Sequence, residues 1–365
     1  MSDKPDLSSM LGDVDVSTFL GLEARSDCDA TGASSAFLGV PGATCYGDMP
    51  AFARNAPAAM RRAIGVDASL IDRYNFDIGG PLFPDGSKPA VDCGDLPFDA
   101  SDFATNRATI RRAVAQIMAV GAVPIVMGGD DSVPIPMLDA LGDTGETYTL
   151  LQIDAHIDWR NEHMGERFGL SSNMRRASEM GHIGQIIQVG ARGTGSARPE
   201  DVRDALDWGA QIVTAGDVHR DSTGPVLEMI PEGANIVICF DVDGLDPAVV
   251  PGVLARASGG LTYGQGLQLL RGAAARGRIC AADFAEFVPE ADVDNIGALA
   301  VATVVDGVVT SAGFGCTAAG AVDHDTPFAV GSVTKGLTGM LLADMAAAGT
   351  VATDDTLAAL VPDLA

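Results

Sequence analysis

The stretch from Leu150 to Asp158, Leu-Leu-Gln-Ile-Asp-Ala-His-Ile-Asp, constrains the fold more than any other part of this chain. An apolar run opens it, and Asp154, His156 and Asp158 then follow at every second position. Because side chains of an extended segment alternate between its two sides, these three side chains share one side. Polar side chains at the end of an apolar strand are typical of the edge at which parallel sheets bind small molecules and ions.

Two further segments have the same order of apolar strand and acidic turn. One covers residues 122–132 and ends in Gly-Gly-Asp-Asp-Ser, and the other covers residues 235–247 and ends in Asp-Val-Asp-Gly-Leu-Asp-Pro. The alternative is three separate turns with solvated acids. If the three turns converge, their carboxylates repel unless cations neutralise them. One His among many Asp favours a hard or borderline divalent ion, with Mn²⁺ preferred over a metal that needs thiolates.

Composition excludes several classes of protein. A formal net charge of −26 argues against nucleic acid and anionic membranes as partners and suits small cationic molecules, although acidity can also serve solubility alone. No apolar run is long enough to span a membrane, and the acidic start does not resemble a signal peptide, so we expect a cytoplasmic protein. The six cysteines are scattered without metal-site spacing, which favours buried thiols.

Strand and helix patterns alternate along most of the chain. The first strand is predicted at residues 35–41, and helices are predicted from residue 55 and at residues 104–120, 201–208 and 262–276. A last strand is predicted at residues 279–287. Such alternation indicates an α/β fold around a parallel sheet. Residues 1–34 are polar and acidic and are predicted to form an N-terminal arm.

Residues 154–158, Asp-Ala-His-Ile-Asp, and residues 241–247, Asp-Val-Asp-Gly-Leu-Asp-Pro, resemble the two signature motifs of the ureohydrolase family, which includes arginases and agmatinases. The resemblance covers roughly residues 35–305. It implies a three-layer α/β/α arginase-like fold with a central parallel sheet. It also implies hydrolysis of a guanidino compound, an agmatine-like amine or a guanidino acid, to urea and an amine. The resemblance further implies two divalent metal ions, Mn²⁺ or alternatively Ni²⁺. It also implies a homo-oligomer, either a trimer or a hexamer.

The resemblance assigns roles to particular residues. The implied metal ligands are Asp131, Asp154, His156, Asp158, Asp241 and Asp243. Asp158 is also the implied proton acceptor, and Glu286 is the implied partner of the substrate guanidinium, a planar group suited to bidentate recognition. A strand-end Glu286 that faces solvent is the alternative. Asp246 matches a motif acid that is usually not a ligand, and we expect it to orient or cap a loop.

Two departures from the family pattern affect the site. Asp131 stands where the family usually has a metal-binding His, which adds a negative charge and shortens one arm of the site. Ser171-Ser172-Asn173 replaces a His-Gly pair near the substrate, so Asn173 and His163 are the candidates for substrate binding there. Arg175 and Arg176 are alternative partners for a substrate carboxylate.

Residues 306–365 resemble a second family, the opening segment of a serine β-lactamase or penicillin-binding-type hydrolase. Ser332 and Lys335 match its Ser-x-x-Lys pair, in which the lysine helps to activate the nucleophile. The later motifs of that family are absent before Ala365. We therefore expect a truncated β-lactamase-like segment without catalytic activity of its own.

Two other functions are consistent with parts of the sequence. Asp131 and the missing His motivate a metal-impaired pseudoenzyme that assembles with an active relative. Asp241-Val-Asp-Gly244 resembles the nucleophile motif of haloacid-dehalogenase phosphatases. Those enzymes carry the motif on their first strand, whereas here it comes late in the chain.

Overall fold

The computed structural model describes residues 17–302, apart from residues 78, 84–88, 196 and 299. The strands of its sheet, β1 to β9 in chain order, are Glu23–Ala24, Ser35–Gly39, Val91–Asp95, Val123–Met127, Tyr148–Ile153, Ile183–Ala191, Gln211–Thr214, Ala234–Asp241 and Gly277–Ala285. They lie in the order β1-β3-β2-β4-β9-β8-β5-β6-β7. Every paired neighbour runs parallel, which confirms the predicted α/β class.

Helices fill most of the connections between these strands. The helices, α1 to α8 in chain order, are Ala56–Ile64, Phe103–Ala119, Pro134–Leu141, Asn173–Ser178, Pro199–Trp208, Ala215–Asp221, Gly224–Met229 and Tyr263–Arg276. Local chemistry fixes several of their starts. The Asp102 side chain accepts from the Thr105 N–H at α2, and the Thr262 hydroxyl accepts from the Gln265 N–H at α8.

Two apolar cores cover the two faces of the sheet. Along β5, Leu151 and Ile153 belong to one core and Leu150 to the other, and all three are fully buried. Neighbouring residues of a strand point to opposite faces, so a strand buried on both sides reads as one continuous apolar run. The result is the three-layer α/β/α arrangement that the family resemblance implies.

The described part of the predicted arm, residues 17–34, packs on this domain. Phe19 is buried and stacks on Phe37 with their ring centroids 4.4 Å apart, and β1 pairs with β3. Asp92 on β3 accepts from the Phe19 N–H and forms a buried ion pair with Arg61 at 2.8 Å. The Asp92 side chain on β3 thereby fixes the position of Phe19, near the start of the described residues.

Two further expectations concern the rest of the chain. The predicted β-lactamase-like segment, with Ser332 and Lys335, lies outside the described residues. Within the described ranges, no helix combines the length and the apolar character needed to cross a membrane.

Candidate metal centre

The predicted ligands meet at the carboxyl ends of four neighbouring strands in the middle of the sheet. Asp131 follows β4 after a turn of two glycines, and Asp154 directly follows β5. Asp241 is the last residue of β8, and Glu286 directly follows β9. In the sheet these strands lie in the order β4-β9-β8-β5, so residues far apart in sequence become neighbours. Ligand sites of open α/β sheets occupy this edge.

The acids and the histidine form two overlapping groups of ligand atoms. One group contains Asp154, His156, Asp241 and Asp243, and the other contains Asp131, Asp154 and Asp158. Within each group the ligand atoms lie within 4.8 Å of one another. Asp154 is common to both groups, so its carboxylate is within reach of the ligand atoms of each group.

Burial makes this site electrostatically costly without a cation. All of its carboxylates are buried, and no arginine or lysine among the described residues forms an ion pair with them. Burial, followed by the neighbouring acids, raises the pKa of Asp131, Asp158 and Asp241 well above the ordinary range. The buried carboxylate oxygens and one imidazole nitrogen therefore suit divalent cations that prefer such ligands.

His156 lies between two of these acids. Its Nδ1 atom is 3.3 Å from Asp154 Oδ1 and 3.2 Å from Asp243 Oδ2. Hydrogen bonds to Asp154 and Asp243 raise the pKa of the imidazole to about 11. His156 also lowers the pKa of Asp154, although burial acts in the opposite direction. The imidazole nitrogen and the two carboxylates thus share a space that a proton or a metal ion can occupy.

Asp131 lies among polar groups from three other segments. Asn173, at the start of α4, donates from Nδ2 to Asp131 Oδ2, and Glu286 Oε1 accepts from the Asp131 N–H at 3.0 Å. Asp283, on β9, is close enough to raise the pKa of Asp131, and its buried carboxylate lies beside the Cys239 thiol. Position 131 is therefore surrounded mainly by acceptors, with Asn173 as a side-chain donor.

Backbone strain occurs at both predicted catalytic residues. Asp158 has φ 48° and Glu286 has φ 68°, in the left-handed region that side-chain-bearing residues rarely adopt. Such strain clusters at functional sites, where the surrounding structure enforces it. The Glu286 N–H also donates to the Gly129 carbonyl at 2.9 Å. Glu286 is buried beside Asp131, so the solvent-facing alternative for this residue is wrong.

Sequence patterns did not reveal a chain of amide side chains behind the acids. Gln152 on β5 donates from Nε2 to Asp154 Oδ2 at 2.6 Å and lies 3.4 Å from Asp158 Oδ2. Gln188 on β6 donates to Gln152 and accepts from the Trp159 indole N–H at 2.8 Å. This network orients the carboxylate that both ligand groups share, as hydrogen bonds behind metal ligands usually do.

The loop after β8 is held by two residues outside the ligand groups. Asp246 accepts from the N–H groups of Gly259 and Gly260 at 2.8 and 3.0 Å, which is the loop-capping role expected from the sequence. Arg192 donates to the Asp243 carbonyl at 2.6 Å and to the Ala257 carbonyl at 2.8 Å. Gly244 lets this loop approach β5, because a Cβ there would lie 2.9 Å from the Asp154 nitrogen.

The remaining candidates have partners of other kinds. His163 lies 3.1 Å from Arg160 Nη1 through its Nδ1 atom, and its ring meets that of Tyr46 edge-on at 4.6 Å. Tyr46 in turn shares a hydrogen bond of 2.6 Å with Ser171. Arg175 pairs with Asp204 of α5 at 2.7 Å and lies 3.7 Å from Glu179. Neither His163 nor Arg175 belongs to the two ligand groups.

Comparison with known proteins agrees with this fold. The arginase family model matches residues 33–310. Agmatinase, mitochondrial, of Gallus gallus is 30% identical over 74% of this chain and 78% of its own length. Guanidino acid hydrolase, mitochondrial, of Homo sapiens is 29% identical over 75% of this chain and 77% of its own length. The crystal structure of a hypothetical agmatinase from Burkholderia thailandensis, 26% identical, superposes with a TM-score of 0.70 over 85% of this chain and 96% of its own.

An all-parallel sheet with a cluster of buried acids and one histidine at its carboxyl edge defines an α/β protein with a candidate metal site. The match over most of the chain then shows that this protein belongs to the arginase family. A second match, to the β-lactamase family model, covers residues 284–365 and confirms the resemblance of the C-terminal segment. The phosphatase alternative fails, because Asp241 ends the eighth strand of an arginase-type sheet rather than the first.

Proposed function

We propose that the protein hydrolyses a guanidino compound to urea and an amine with two divalent metal ions, for which Mn²⁺ is the best fit. As a member of the arginase family, the chain is a hydrolase acting on linear amidine C–N bonds. The proposal rests above all on the two ligand groups that share Asp154. The names of the two relatives support an agmatine-like amine or a guanidino acid as substrate.

The residues around the ligand groups have complementary tasks in this reaction. Glu286 is a buried carboxylate beside the site, and it would bind the planar guanidinium cation. Two divalent cations, when bound, lower the pKa of water and so supply a nucleophile near neutral pH. Asp158 would accept a proton and pass it to the leaving amine. Gln152 keeps the Asp154 carboxylate in place during these steps through its hydrogen bond of 2.6 Å.

Urea release tests this function directly. The purified chain, loaded with Mn²⁺ or Ni²⁺, is incubated with a panel of guanidino amines and guanidino acids, and its metal content is measured on the same sample. We expect urea from at least one compound and about two metal ions per chain. Bound metal without urea from any compound would count against the reaction.

Asp131 supports a second candidate, a metal-impaired subunit that assembles with an active relative. A carboxylate there faces Asp283 and Glu286, and all three are buried. A weakened second ligand group would leave the fold intact while removing one cation. A chain that binds fewer than two metal ions and releases no urea, but forms a stable complex with an active family member, would favour this candidate.

A further inference from the structure

A cavity of 420 Å³ lies where α2, α3 and α4 meet, and none of its lining residues belongs to the ligand groups. Its volume is in the range of small-molecule sites. Its charged lining consists of Arg107, Arg111, Arg176, Asp139 and Glu179. The lining thus has one more cation than acids, in a chain with a formal net charge of −26. The cavity therefore differs in sign from the metal centre.

Arg176 is the least satisfied charged group of this cavity. Its side chain is only 3% exposed, and Nη2 donates to Asn161 at 3.1 Å and to Glu179 at 2.9 Å. Its buried Nε and Nη1 atoms have no hydrogen-bond partner among the described residues. A guanidinium has five N–H donors and cannot lose its charge, so unpaired buried donors call for an acceptor.

Glu179 compensates this charge only in part. Glu179 is shared, because Arg167 lies 3.6 Å and Arg175 3.7 Å from the same carboxylate oxygen that Arg176 contacts. Burial, together with Arg167 and Arg175, lowers the pKa of Arg176. An anion in the cavity would relieve this excess of positive charge.

Arg107 supplies a second cation without an acidic partner. It donates from Nη1 to the Thr44 hydroxyl at 2.7 Å, and its guanidinium lies 4.5 Å from the centre of the Phe168 ring. No carboxylate of the described residues forms an ion pair with it. Arg111, in contrast, already binds Asp139 at 2.8 Å and Asp143 at 2.7 Å. Arg107 and Arg176 are therefore the two arginines left to hold a ligand.

We propose that this cavity is a binding site for a small aliphatic carboxylate, held by Arg107 and Arg176. The apolar part of the lining, which includes Ile135, Pro136 and Phe168, suits a short hydrocarbon body. The carboxylate would accept from the two guanidinium groups, and charge-assisted hydrogen bonds of this type are the strong ones. The site is separate from the metal centre and does not depend on the proposed reaction.

Calorimetric titration of the metal-loaded full chain with butyrate tests the site. We expect saturable binding of one butyrate per chain. Arg107→Gln and Arg176→Gln should each weaken it by about tenfold or more, since each removes a charge-assisted contact. Arg62→Gln changes an exposed arginine of α1 and serves as the matched control, with unchanged affinity expected. Arg107 is only half-buried, so its variant remains informative if Arg176→Gln fails to fold.

Three outcomes would overturn the proposal. The first is the absence of saturable butyrate binding to the unaltered chain. The second is equal affinity in the Arg107 variant, which would place the butyrate elsewhere, for example at the metal centre. The third is inorganic phosphate that binds as tightly as butyrate and is equally sensitive to Arg107→Gln, because the site would then recognise oxyanions without using its apolar wall.

Discussion

Asp154 differs from every other ligand residue because it belongs to both ligand groups. We therefore expect Asp154→Ala to lose both metal ions and all urea release. Asp243→Ala and Asp131→Ala each disturb one group and should each lose about one ion. Metal content per chain, measured by mass spectrometry, distinguishes the three variants. Asp48→Ala, at an exposed acid, is the control and should keep the full content. Retained metal and activity in Asp154→Ala would refute the assignment.

Asp131→His should raise the affinity for Mn²⁺ by about tenfold. An imidazole is a suitable ligand for this ion, and the change removes one of several buried carboxylates from the site. The buried carboxylate of Asp283, close to position 131, would be the acceptor for the second ring nitrogen. Metal ligands of this type usually donate to such a carboxylate. Titration with Mn²⁺ monitored by electron paramagnetic resonance measures the change.

The role of Asp283 in this effect has its own control. Asp283→Asn combined with Asp131→His should lose most of the gain, because the imidazole would lose its acceptor. Asp283→Asn alone removes a negative charge beside Asp131. It should not weaken Mn²⁺ binding through loss of a hydrogen bond, because residue 131 then has no imidazole that needs the acceptor. Weaker Mn²⁺ binding by Asp131→His than by the unaltered chain would contradict the idea that residue 131 is a ligand.

At the level of elements, neighbouring strands carry the network that positions Asp154. Gln152→Leu keeps the size of the β5 side chain but removes the hydrogen bond of 2.6 Å to Asp154. We expect about tenfold weaker metal binding, as for other losses of a contact behind a metal ligand. Gln185→Leu is the matched control, because Gln185 on β6 bonds Thr149 and Gln211 instead of a ligand. It should reduce stability without changing metal affinity.

The elements also show why the sequence predicts some features and not others. β5 and β8 are apolar runs that end in acids, so the pattern predicts both the strands and the ligands that follow them. Glu23–Ala24 is a strand of two exposed residues with no such pattern, and it pairs through its backbone. Gln152 and Gln188 are 36 residues apart, and only the adjacency of β5 and β6 brings them together. The role proposed for Asp283 likewise depends on residues of other strands, which the sequence pattern around it does not reveal.

For the whole molecule, the buried acids couple metal binding to stability. Without cations these carboxylates repel one another in a buried site, whereas bound cations stabilise only the folded state. We therefore expect a chelator to lower the melting temperature of the metal-loaded chain. Asp154→Ala should melt at the same temperature with and without chelator. A chelator effect of equal size in both proteins would show that the stabilising metal binds elsewhere.

The two family matches overlap, since the arginase model extends to residue 310 and the β-lactamase model begins at residue 284. Asp283 and Glu286 lie on or just after β9, so this strand completes the arginase-type site at the border of the second match. The residues proposed for urea release all precede Ser332. Ser332→Ala should therefore leave urea release unchanged, measured as kcat and KM in parallel with the inactive Asp154→Ala. A loss of urea release in Ser332→Ala would mean that the C-terminal segment contributes to the reaction.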